Sequence, residues 1–261
     1  MMSVPFVLLI ILFLLMAVIG GKRGTKSFFT LIFNLVVLMI MLQFMTHGFQ
    51  PLKVTIIGCV IISSSTLFYI NGINKKTLSS LLSVLIVVLT TILLTYRMGQ
   101  GARIQGFGKE QAEGVTYLSL YIHLDLSKVV ISVIIIALLG AIIDVSISIS
   151  SSMNEIYALE PTISKSRLIR SGMNIGKDIL GTMTNTLLFA YIAGFMTLIL
   201  WFGVYNYTIS EVINSKVFCE EIFQILSSGI GIILIIPVTA IITSLILMEV
   251  PSRELGTKKI T

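Results

Sequence analysis

Two stretches of this sequence place acids and hydroxyls where apolar residues would be expected, GAIIDVSISISSSMNEI at 140–156 and GKDILGTMTNTLLFAY at 176–191. At about 100° per residue of helix, Ala137, Gly140, Ala141, Asp144, Ser148, Ser151 and Glu155 fall on one face. Asp178, Gly181, Thr182, Asn185 and Phe189 likewise share a face of the second stretch. Carboxylates and hydroxyls so arranged suit the passage of a proton, a cation or a small polar solute. An acid in mid-membrane costs about 2.5 to 3.5 kcal/mol, so it is kept where it is hydrated, paired or used. Purely structural roles compete with transport at each position. Asp178 at a helix start would be favoured by the positive end of the dipole; Asp144 paired with Arg170 would be a structural bridge; and small serines let membrane helices approach closely whatever the function.

A third string, SSGIGIILIIPVTAII at 227–242, spaces Ser227 and Gly231 for close helix contact around Gly229 and puts Pro237 inside an apolar run. Proline there removes a helical hydrogen bond and predicts a kink, a hinge or a locally unwound site. Gly140, Gly181, Gly229, Gly231 and Pro237 are thus the candidate packing and hinge residues.

The elements holding these strings are membrane spans. Hydrophobic residues make up 56% and charged residues 11% of the chain, with a mean hydropathy of +1.02, against about 25% charged residues in a soluble domain. Seven apolar runs of span length cover residues 4–20, 28–45, 54–70, 78–96, 128–151, 178–205 and 222–249. The alternating Val, Ser and Ile after Asp144 superficially suits a strand, but an isolated strand in hydrocarbon leaves its backbone groups unpaired, so helix is the reading. The predicted fold class is all-α: a polytopic transmembrane helical bundle forming one domain over 1–261.

The first run resembles a secretory signal. No positive charge precedes it, however, and Lys22, Arg23 and Lys26 follow directly, which fits a retained span. The Lys and Arg residues that seven spans put on the odd-numbered side number 12 (22, 23, 26, 75, 76, 165, 167, 170, 177, 253, 258, 259), against 6 on the other (53, 97, 103, 109, 128, 216). The positive-inside rule then predicts the amino terminus outside and the carboxyl terminus inside. The net charge of +6 is explained by these clusters and points away from nucleic acid.

The connector 97–127 carries the glycine-rich GQGARIQGFG with Glu110, Glu113 and Asp125, and reads as a flexible cap at the outer mouth. Its glycines follow no strand, so they form no nucleotide cradle. The basic connector 153–177, with SKSRLIRSGMNIGK, is expected to lie partly along the membrane surface. Cys59 and Cys219 are read as bystanders, and His47 and His123 receive no role. There is no H-E-x-x-H pair and no G-x-S-x-G elbow, so an enzyme is not expected, nor a cofactor or a metal.

With these three strings in this order, the chain resembles the YibE/F family of bacterial multispanning membrane proteins. The first string matches the family's Asp and Asn-Glu pair at Asp144, Asn154 and Glu155, and the second its acid before Gly181 to Thr186, at Asp178. Only Gly21 to Ser27 separates the first two runs, leaving no room for the extracytoplasmic domain of longer members, so the chain is similar to the short, YibF-like type. The resemblance implies a multi-pass protein of the bacterial cytoplasmic membrane, working beside a longer YibE-like protein; a homo-oligomer also stays open. It carries over no biochemical activity. The functional reading is a permease or transport component with a carboxylate-lined path near the cytoplasmic side, formed by Asp144, Ser148, Ser151, Asn154, Glu155, Asp178, Thr182 and Asn185. The alternative is a scaffold or regulatory subunit that binds a YibE-like protein.

Overall fold

A computed structural model describes residues 4–102 and 126–249, and every regular element among them is helical. The helices are α1 (Val4–Thr46), α2 (Pro51–Ser64, continued by a π-helical turn Ser65–Tyr69), α3 (Lys75–Ala102), α4 (Leu126–Leu159), α5 (Lys165–Val204), α6 (Ile209–Asn214) and α7 (Lys216–Glu249). Six of them are long and apolar enough to cross a membrane. Of the flexible connector expected at 97–127, residues 97–102, with the first glycines of GQGARIQGFG, continue α3 as helix and 126–127 begin α4; the remainder, with Glu110, Glu113, Asp125 and His123, lies outside the described residues.

The first two apolar runs are joined in α1. At about 1.5 Å per residue its 43 residues would make a rod of about 64 Å, twice the apolar thickness of a bilayer. It is not a rod, because Gly21 breaks it with φ 54° and ψ −137°, a conformation essentially restricted to glycine. The Phe13 and Phe28 rings lie 4.9 Å apart, and Gly24 lies against the Met16 carbonyl. Both pairs are centred on Gly20 and Gly21, so the chain reverses there and α1 is a helical hairpin with two arms. Six helices therefore contain the seven spans read from the sequence.

The core is built by α3, α4 and α7, with α5 laid over α4 and α7, and α2 between α4 and α1. Its apolar part comes from Val84, Val87, Ile135, Leu138, Ile142, Ile149, Ile232 and Ile235, each at most 1% exposed. Leu138 packs against Gly231 and Ser146 bonds Thr239, both pairs 93 residues apart, so α4 and α7 run parallel in constant register. α3 crosses both in the opposite sense, since Ser80 meets Ser150 and Ser79 meets Thr243.

Two sequence expectations change here. The basic segment 164–177 is the start of α5, not a surface-lying connector; Ser164 stands at the N-cap, Gly172 packs against Met153 and Ala240, and Gly176 packs against Ile236. These glycines have room for no side chain, so the segment is held in the bundle by close helix contact. Around Pro237, α7 stays helical from Lys216 to Glu249 with no unwound site. Neighbouring Ile235, Ile236, Thr239 and Ala240 are all buried and keep the chain in place.

Short polar devices fix the ends. Asn74 and Thr77 exchange side-chain and backbone hydrogen bonds at 3.0 Å each, starting α3. Before α6, Thr208 and Glu211 form a reciprocal capping box, and the Thr208 backbone N–H, donating at 2.7 Å, holds the Glu211 carboxyl below its ordinary titration range.

Candidate functional site

The acids singled out in the sequence lie on the outer surface of the bundle. On α4, Asp144, Ser148 and Glu155 are exposed and Ser151 and Asn154 half-buried; on α5, Asp178, Gly181, Thr182 and Asn185 are all exposed. The reason is the opposite face of α4, where Ile131, Ile134, Ile135, Leu138, Ile142, Val145 and Ile149 are buried against the other core helices and rotate Asp144 away from them. α5 buries Leu168, Gly172, Gly176 and Phe195, and so turns the Asp178 face outward too.

The two acids do stand at similar depth. Met153 touches Gly172 where α4 and α5 cross. Counting back nine residues on α4 and forward nine on α5 brings Asp144 level with Gly181, so Asp178 lies within about one turn of that height. Among the described residues neither carboxylate has an ion pair or a hydrogen-bond partner, and the Arg170 bridge to Asp144 is not formed. Ser148 donates to the backbone carbonyl of Asp144 at 2.7 Å, and Thr182 to that of Ile179 at 2.8 Å. These hydroxyls satisfy themselves on their own helices, whereas the acids and the Asn185 amide do not. Asp178 also loses the helix-start explanation, since α5 begins at Lys165 and the acid sits almost four turns inside it.

The packing glycines divide. Gly231 is in tight contact with Leu138, as its spacing predicts, while at Gly140, Gly181 and Gly229 nothing lies within 4 Å of where a side chain would begin. Those three are thus not packing glycines among the described residues. Gly172 and Gly176 carry the contact of α5 instead; both were legible in SGMNIG as a small residue repeated every four positions.

What the sequence reading missed is the polar interior. Ser80 Oγ and Ser150 Oγ are 2.6 Å apart; Ser146 donates to the Ser80 carbonyl at 3.3 Å; Thr239 donates to Ser146 at 3.1 Å and Thr243 to Ser79 at 3.2 Å. All six side chains are fully buried, as is Ser83, which donates to the Ser79 carbonyl. They form a seam of hydroxyls where α3 meets α4 and α7. Ser146 and Ser150 alternate in sequence with Ser148, so only the helical face separates the seam from the outer acids. Nothing here resembles a nucleophile with a base, and no group of His, Cys, Asp and Glu fit to hold a metal occurs among the described residues. Cys59 is buried and Cys219 exposed, both as free thiols.

The sequence pattern of the YibE/F-like proteins matches residues 8–249, nearly the whole chain. The chain belongs to the YibE/F-like family. No curated protein and no solved structure matches it. The family match and the long apolar helices together make this an integral, multi-pass membrane protein.

Proposed function

We propose that this YibE/F-like protein is a permease or transport component whose polar path runs along the outer face of α4 and α5. The observation that carries the reading is the pair Asp144 and Asp178, both inside apolar helices, both exposed, and both without a bonding partner among the described residues. Leaving two carboxylates so placed against acyl chains would cost several kcal/mol, so water, an ion or another helix meets them in the membrane. Ser148, Ser151, Asn154 and Glu155 continue the α4 face towards the α4–α5 connector, and Thr182 and Asn185 continue the α5 face into the apolar part. On this reading the chain performs no covalent chemistry and resides in the bacterial cytoplasmic membrane, with the α4–α5 connector in the cytosol.

The test is Asp144→Asn, which removes the charge with little change in volume. Ion- or pH-dependent uptake or efflux should be lost while protein abundance in the membrane stays similar; unchanged flux would refute the path.

A second reading, a scaffold or regulatory subunit, is favoured by Gly140 and Gly181, whose open backbone suits the close approach of a helix from a longer YibE-like protein or a second copy. Gly140→Leu should then break a complex isolable in detergent without altering flux through any remaining path. Recovery of the unaltered chain alone and monodisperse from its native membrane would count against it.

A further inference from the structure

A groove of about 710 Å³ lies between the second arm of α1 and the π-helical turn that follows α2, lined by Phe29, Phe33, Ser64, Phe68, Tyr69 and Ile73. That volume falls within the range of ordinary ligand sites. The π-helical turn Ser65–Tyr69 forms part of its wall, and such turns are frequent at functional positions. This one is fixed by Asn34, which donates to Thr66 Oγ1 at 3.0 Å and accepts from Ser65 Oγ at 2.9 Å. Ser64 Oγ, on the wall, has no hydrogen-bond partner among the described residues.

One end of the groove is cationic. Lys26 Nζ stands 5.8 Å from the centre of the Tyr69 ring, one helical turn from Thr30 and Phe29. Lys22 and Arg23 sit at the tip of the α1 hairpin, and Lys76 lies in the first turn of α3, beside the connector that holds Ile73. No Asp or Glu occurs anywhere in residues 1–109, so nothing in this half of the chain compensates these charges. The walls are aromatic and apolar, and the charges that this half of the chain brings to the mouth are all positive.

We infer that this groove binds one anionic phospholipid, its acyl chain along Phe29, Phe33 and Phe68 and its phosphate at Lys26. Basic pockets between membrane helices select lipid headgroups in this way, and the tyrosine ring under the ammonium adds a surface that keeps Lys26 at the mouth. Ser64 supplies a donor for the ester region. The inference rests on α1 and α2 and is independent of the acids on α4 and α5.

The test uses the full chain in neutral detergent, titrated with phosphatidylglycerol or phosphatidylcholine of identical acyl chains and read by native mass spectrometry. Phosphatidylglycerol should be retained at lower concentration than phosphatidylcholine. Lys26→Gln should weaken it about fivefold, the worth of one lysine near an anionic headgroup. Lys53→Gln, at the far end of α2, should leave it unchanged. Inorganic phosphate in excess should not displace the lipid. Equal retention of the two lipids, an unchanged Lys26→Gln, or displacement by inorganic phosphate would each overturn the site.

Discussion

Asp144 and Ser150 lie within two turns of each other on α4 and meet opposite surroundings, the acid open to the outside and the hydroxyl buried against Ser80. A buried hydroxyl in a membrane bundle does not disturb the fold when its donor is used, and here each seam donor finds an oxygen on its own or a facing helix. Ser150→Ala removes one side of the shortest interhelical bond of the seam. It should lower unfolding stability by about 0.6 kcal/mol, and by no more than about 1.7, the span measured for hydrogen bonds between membrane helices. Thermal unfolding in detergent checks this. Ser148→Ala, whose hydroxyl serves only its own backbone, should change nothing measurable. The outer residues were legible in the sequence because an acid in an apolar run stands out. The seam was not, because a serine or threonine looks the same whether it faces lipid or another helix.

The element that best separates legible from illegible is α5. Its polar face was readable from Asp178 to Asn185, yet its start was misplaced by about thirteen residues because a basic segment resembles a connector when only hydropathy is weighed. Tertiary contact decides it: Gly176 fits under Ile236 and Gly172 under Met153, so the basic turns extend the helix beyond the apolar stretch. Gly176→Leu should therefore force the two helices apart at a cost of about 1 to 3 kcal/mol, read as a fall of several degrees in unfolding temperature. Gly181→Leu, five residues further on and with open space where its side chain would begin, should change stability by no more than about half a kcal/mol. Equal effects of the two substitutions would mean that α5 does not sit on α7 as described.

At the scale of the molecule, the order of the spans and the composition of their connectors were legible, since runs of twenty apolar residues have few other meanings. The pairing of spans was not, because lipid and neighbouring helices demand the same apolar surfaces. The parallel register of α4 and α7 emerges only from Leu138 on Gly231 and Ser146 on Thr239. The orientation read from the basic clusters has a direct check in the two thiols. Cys219 is exposed near the start of α7, at the end of the bundle away from Lys22 and Lys76, and Cys59 is buried in α2. A membrane-impermeant maleimide added to intact cells should label Cys219 and leave Cys59 untouched; labelling of Cys219 only after the membrane is opened would invert the assignment.

The reversal at Gly21 sets the parity of the whole chain. If each of the seven apolar runs read from the sequence crosses the bilayer once, this reversal makes the number of crossings odd and puts Val4 and Glu249 on opposite faces. A side chain at this position would strain the φ of 54° and favour one uninterrupted helix far too long for any bilayer. Six crossings would then remain, with either the segment ahead of that point or everything after it upside down.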